Sequence, residues 1–182
     1  DDLEKRVEGL EKGNNREDII DQINQTNAVE IADREARKDN IVIYQLKEAP
    51  QNIKEGKARK EHDKNELKNL FSKIETDVDI DRDVKFWARS GKIEENNARP
   101  LIVGFREEQI KKHVMEHAKN LSKINGYDKV SIGNDLTKKQ REDDQKIRKT
   151  ATTRNEELSE DERLNYEWRV LGPRGQRKLV KM

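Results

Sequence analysis

The residues best placed to do chemistry stand at the C-terminal end. Tyr166-Glu-Trp-Arg-Val-Leu-Gly-Pro-Arg-Gly-Gln-Arg-Lys-Leu-Val-Lys-Met182 sets Trp168, Arg169, Arg174, Arg177, Lys178 and Lys181 against a single acid, Glu167. Guanidinium and ammonium groups gathered on one short segment neutralise phosphates and release counterions, so this end reads as a grip for a polyanion. A second pattern, His113-Val-Met-Glu116-His117, has the H-x-x-E-H spacing that would put two zinc ligands and a general base on one helix. His117 falls on the apolar face of that helix and no third ligand is evident, so neither a metal nor another cofactor is expected, and no enzyme. Close acidic pairs such as Asp143-Asp144, or Asp79 with Asp81, read as solvated surface in a chain this rich in acids.

The formal charge of +1 conceals a strong asymmetry. Residues 1–38 carry 7 Lys and Arg against 11 Asp and Glu, whereas residues 138–182 carry 13 against 9. An acidic start, a nearly neutral centre and a basic end follow. With 31% apolar and 42% charged residues the chain cannot build one large core, so a small domain with helical extensions is expected. The absence of Cys excludes disulfide frameworks, Cys-based zinc sites and thiol catalysis. No apolar run is long enough to cross a membrane, and none is expected as a partner. The chain opens at Asp1 rather than Met, so its visible beginning says nothing about targeting.

The elements that must position these groups divide into three expected domains. Residues 1–38 read as a coiled-coil helix for oligomerisation, with Leu3, Val7 and Leu10 at d, a and d of a heptad and Asn14 at the next a. Arg6 at g can reach Glu11 at e of a neighbouring helix, a spacing that resembles the signature of three-stranded coiled coils. The seam slips at Glu17 and restarts at Ile19, Ile20 and Ile23.

Residues 39–135 read as a β-α-β-β-α-β domain, the order of a ferredoxin-like sandwich. Its strands are expected at 40–46, 84–91, 100–105 and 130–132. Its helices carry Leu67, Leu70, Phe71 and Ile74 on one face, and Ile110, Val114, His117, Ala118 and Leu121 on the other. Gln51 to Asp63 is polar and reads as a mobile loop. The stacking aromatics that RNA-recognition motifs carry on their first and third strands are replaced here by Val42, Pro100 and Ile102, so backbone-directed binding is expected. Residues 136–182 read as a small basic domain. In it Asp135 or Thr137 caps a helix bearing Lys138, Lys139, Arg141 and Arg148, and a hairpin follows over 166–170 and 177–181.

Five segments taken in order, the coiled coil, Arg37-Lys-Asp-Asn-Ile-Val-Ile-Tyr-Gln-Leu46, Ala98-Arg-Pro-Leu-Ile-Val-Gly-Phe105, Asn134-Asp-Leu-Thr-Lys-Lys-Gln-Arg141 and Tyr166-Glu-Trp-Arg-Val-Leu-Gly-Pro173, resemble the first-open-reading-frame proteins of LINE-type non-LTR retrotransposons. That resemblance implies an α+β protein: a homotrimeric (or dimeric) coiled coil, an RNA-recognition-motif-like domain and a small C-terminal domain. It implies binding of single-stranded RNA, and of single-stranded DNA, as a nucleic-acid chaperone in a cytoplasmic or nuclear ribonucleoprotein. It places RNA contacts on Arg89, Lys92, Arg99, Arg141, Arg169, Arg174 and Lys178. The basic helix and hairpin add Lys138, Lys139, Arg148, Arg177 and Trp168. The alternative is a structural coiled-coil module that binds protein and no nucleic acid.

Overall fold

The computed structural model describes residues 2–93 and 97–182, with the backbone alone over residues 2–15. The chain forms two compact units, residues 1–36 and 37–182. The first is helix α1, Asp2–Arg37, which contains no proline to interrupt it. Ile19, Ile20 and Ile23 on it are 49–54% exposed, and Val29 and Ile31 are exposed as well. The expected heptad side chains Leu3, Arg6, Val7, Leu10, Glu11 and Asn14 lie outside the described residues. Among the described residues no helix is long and apolar enough to cross a membrane.

The second unit is α+β. Strands β1 (Asn40–Tyr44), β2 (Val84–Arg89), β3 (Leu101–Phe105) and β4 (Ser131–Asn134) form an antiparallel sheet in the order β2-β3-β1-β4. Helices α2 (Gly56–Lys73), α3 (Ile80–Asp83) and α4 (Glu108–His117) connect them, with a 3-10 turn over Ala118–Lys123. Alternation along the strands sends Ile41, Ile43, Leu101, Val103 and Phe105 to one face, where they pack on Leu67, Leu70, Phe71 and Ile74 of the α2 region and on Val114 and Leu121. The opposite face keeps Val42, Ile102, Phe86 and Ala88, all outside that core.

The chain beyond the sheet forms α5 (Lys138–Glu156), α6 (Glu160–Asn165) and a hairpin of β5 (Trp168–Leu171) and β6 (Lys178–Lys181). Thr137, rather than Asp135, caps α5: its hydroxyl accepts from the Gln140 N–H at 3.1 Å, and the Gln140 side chain accepts from the Thr137 N–H at 3.0 Å. Gly172 and Gly175 take φ of 98° and 88° in the hairpin turn, where a side chain would be strained.

One expectation is corrected here. The polar stretch 51–63 is not all loop, because α2 begins at Gly56. Its first turns lack apolar periodicity and are secured by ion pairs instead. Arg59 donates to the Ile53 carbonyl at 3.0 Å and pairs with Glu48 at 2.7 Å, while Asp63 receives Arg89.

Glu48 gathers two arginines, Arg59 and Arg99. Burial alone would push its carboxyl up, but hydrogen bonds from the Arg99 side chain and backbone and from Arg59 outweigh burial and hold it at about 2, against an ordinary 4.5. A carboxylate lowered in this way contributes stability in full above pH 4.5 and loses it as pH falls towards 2. Glu48→Gln should therefore have a lower thermal midpoint than wild type at neutral pH. The gap, followed by circular dichroism in an acid series, should close between pH 4.5 and 2.

Candidate nucleic-acid interface

A two-stranded hairpin is marginal in water, so residues 168–181 need a support, and α5 supplies it. At the open end the Asn155 side chain grips the backbone of Trp168 from both sides: its amide donates to the Trp168 carbonyl at 2.8 Å and its oxygen accepts the Trp168 N–H at 2.7 Å. The Arg154 guanidinium lies 4.4 Å from the centre of the Trp168 ring. At the turn end Asp144, only 6% exposed, receives Arg177 at 3.3 Å and the Gly175 N–H at 3.5 Å, and pairs with Arg148 at 3.2 Å. The hairpin is thereby clasped to one helix at both ends.

The ladder pairs Arg169 with Val180 and Leu171 with Lys178, so these four share the face opposite Trp168, Val170 and Leu179. Arg169, Leu171 and Lys178 are exposed. Arg169 pairs with Glu167. Lys178, and Arg174 in the turn, make no ion pair among the described residues. Along α5, Lys138 sits 3.8 Å from Glu142. Lys139 and Lys149 are exposed and have no partner among the described residues. Arg141 is exposed overall while its guanidinium donates to the Leu136 carbonyl at 2.7 Å.

The expected contacts thus differ in where the structure places them. Arg148, Arg177 and Trp168 belong to the clasp, with Trp168 half-buried under Arg154. Lys138, Lys139, Arg169, Arg174 and Lys178 face solvent, and so does Lys92 after β2. Arg89, expected as an RNA contact, is turned inward. With 4% of its side chain exposed it donates to Asp63 and to the carbonyls of Leu46, Lys47 and Arg99. Arg99 is held on Glu48 at 2.5 Å. An arginine locked in this way reaches a phosphate only by stranding a buried carboxylate.

Asp144 is the residue that sequence reasoning missed. Its membership of an acidic pair suggested solvent, although the i,i+4 spacing to Arg148 was a signal for a local ion pair. Lys181 over the Tyr166 ring, at 3.5 Å, was missed likewise, as was the short helix α6 with its Ser159 and Glu162 capping box. The two histidines stack with ring centres 4.3 Å apart, and His117 Nδ1 lies 2.9 Å from the His113 carbonyl. Among the described residues no three His, Asp or Glu side chains gather to hold a metal ion.

Replacing Asp144 by Ala should unfasten the turn end of the hairpin. The expected result is a drop of about 1–3 kcal/mol in stability by chemical denaturation, together with faster hydrogen exchange at the Gly175 amide than at residues of the four-stranded sheet. Compared with known proteins, the chain matches no family profile and no curated protein.

Proposed function

We propose that this chain binds single-stranded nucleic acid, self-associates through α1 and coats an RNA in a ribonucleoprotein, in the manner of the first-open-reading-frame proteins of LINE-type retrotransposons. One observation carries the reading. In the sheet domain the two arginines turned inward each meet a carboxylate, Asp63 for Arg89 and Glu48 for the half-buried Arg99. The exposed cations Lys139, Lys149, Arg174 and Lys178 have none among the described residues, in a chain with 38 acids to 39 bases. Acids are not scarce, so the cations left free on α5 and the hairpin, like Lys85, Lys92 and Arg106 on the sheet domain, are open to an external polyanion.

The strand order β2-β3-β1-β4 supports reading residues 39–135 as a ferredoxin-like, RNA-recognition-motif-like domain. Residues 136–182 then form a separate grip built on α5. Exposed Ile19, Ile20 and Ile23 support a coiled coil, since an isolated polar helix gains little stability in water without a partner for its apolar residues. A trimer would hold three grips on one strand, and later engagements become effectively intramolecular. Contacts to phosphates give affinity that is weakly dependent on sequence and falls with salt. The chaperone role follows from contacts that exchange individually while attachment persists. The same exposed α1 residues, with Arg89 and Arg99 locked inward, favour the second reading, a protein-binding coiled-coil module.

Fluorescence anisotropy with an RNA of about 30 nucleotides, measured across a salt series, separates the two readings. Each phosphate neutralised by a side-chain cation adds about 0.7 to the log–log slope, so Arg174→Ala with Lys178→Ala should lower it by roughly 1.4 and leave the thermal midpoint unchanged. Absence of salt-sensitive binding by the wild-type chain would leave the protein-binding module. In sedimentation equilibrium the wild-type chain should run as a trimer, and Ile20→Asp with Ile23→Asp should shift it towards monomer without changing the fold of residues 37–182.

A further inference from the structure

We propose that Phe86 is a stacking platform for one unpaired base, on the sheet face turned away from the helices. The proposal rests on the nucleic-acid reading above and adds to it a site on the sheet, distant in sequence from the basic grip. Among the described residues Phe86 is the only exposed Phe, Trp or Tyr, at 41%. The register places Phe86 opposite Gly104, which pairs in turn with Asn40, whereas its neighbour Trp87 packs on the core side. A bulge between Val84 and Phe86 sets this alternation.

Gly104 makes the platform possible. A Cβ built there would overlap Cε1 of Phe86 and come within 2.8 Å of Cδ1, so the ring lies directly over bare β3 backbone. The strand covers one side of the ring, and 41% of the residue remains exposed. The same sheet face carries no charged side chain at Ala88, Ile102, Val42 and Gly133, and Val42 there is buried. Stacking on an aromatic face suits any base, because every base has a π-surface.

Charge identifies the occupant. Lys85, in the bulge, and Arg106, just past β3, are exposed and form no ion pair among the described residues. The Arg106 N–H donates to the Asp83 carbonyl at 3.0 Å, which sets both cations at the end of the sheet where Phe86 lies. Of the acids at this end, Asp83 pairs with Arg82 at 2.6 Å, and Asp135 is engaged by Arg37 at 3.0 Å and Asn40 at 3.1 Å. An aromatic face with free cations at its rim fits a base whose flanking phosphates meet Lys85 and Arg106. The first and third strands, where the sequence lacks stacking aromatics, are bypassed in favour of the outer strand β2.

The test uses the full chain and the same RNA, with one adenine replaced by 2-aminopurine. Phe86→Leu keeps the apolar bulk and removes the ring. It should weaken binding about 5- to 150-fold, leave the salt slope unchanged and abolish fluorescence quenching of the analogue. Phe86→Tyr, which keeps the ring, should bind and quench as wild type does. Wild-type affinity and quenching in Phe86→Leu, or equal weakening in the Leu and Tyr variants, would overturn the platform while leaving the basic grip standing. Absence of RNA binding by the wild-type chain would overturn both.

Discussion

A guanidinium has five N–H donors and keeps its charge at every physiological pH. That of Arg89 directs five hydrogen bonds, two to Asp63 and one each to the carbonyls of Leu46, Lys47 and Arg99. Through one side chain the edge strand β2, the segment after β1, the segment before β3 and the start of α2 are joined. The sheet domain depends on this junction because its apolar core is small and cannot by itself order the polar segments around it. Burying a charge is tolerated only where geometry satisfies it fully, and here every donor finds an acceptor.

The same economy governs the rest of the second unit. Glu48 collects Arg59 and Arg99, Asp135 collects Arg37 and Asn40, and Asp144 collects Arg148 and Arg177. Each of these acids joins segments well apart in sequence. Two kinds of cation result. Those that meet a buried acid fix the fold, and those left in solvent are available for binding. A basic residue's place in the sequence does not distinguish the kinds.

Legibility followed the source of stability. Elements held by apolar periodicity were readable: Leu67, Leu70, Phe71 and Ile74 mark the buried face of the α2 region, and Ile41 with Ile43 marks β1. The Thr137 cap was one of two candidates, and the hairpin turn announced itself through Gly172 and Gly175. Elements held by charge were not readable. The opening turns of α2 looked like loop, since Arg59 and Asp63 reveal their purpose only when Glu48 and Arg89 come close in space. Arg89 on a strand looked like surface, and Asp144 in an acidic pair looked solvated, for the same reason. Which of Phe86 and Trp87 stands exposed was not readable, because it depends on a bulge that shifts the alternation of β2.

The clasp beneath the hairpin carries an implication for how such a chain can drift. Asp144 and Arg177 bind positions 33 residues apart into a single unit of change, since losing Asp144 leaves Arg177, with 22% of its side chain exposed, without its carboxylate. Asp63 with Arg89, and Glu48 with Arg99, are coupled alike. Lys178 and Arg174 carry no such obligation and can exchange lysine for arginine, or move along the turn, at little cost to the fold. Divergent descendants would keep the buried partners in matched pairs while the exposed cations wander, so the architecture would outlast any recognisable similarity in the residues that face solvent.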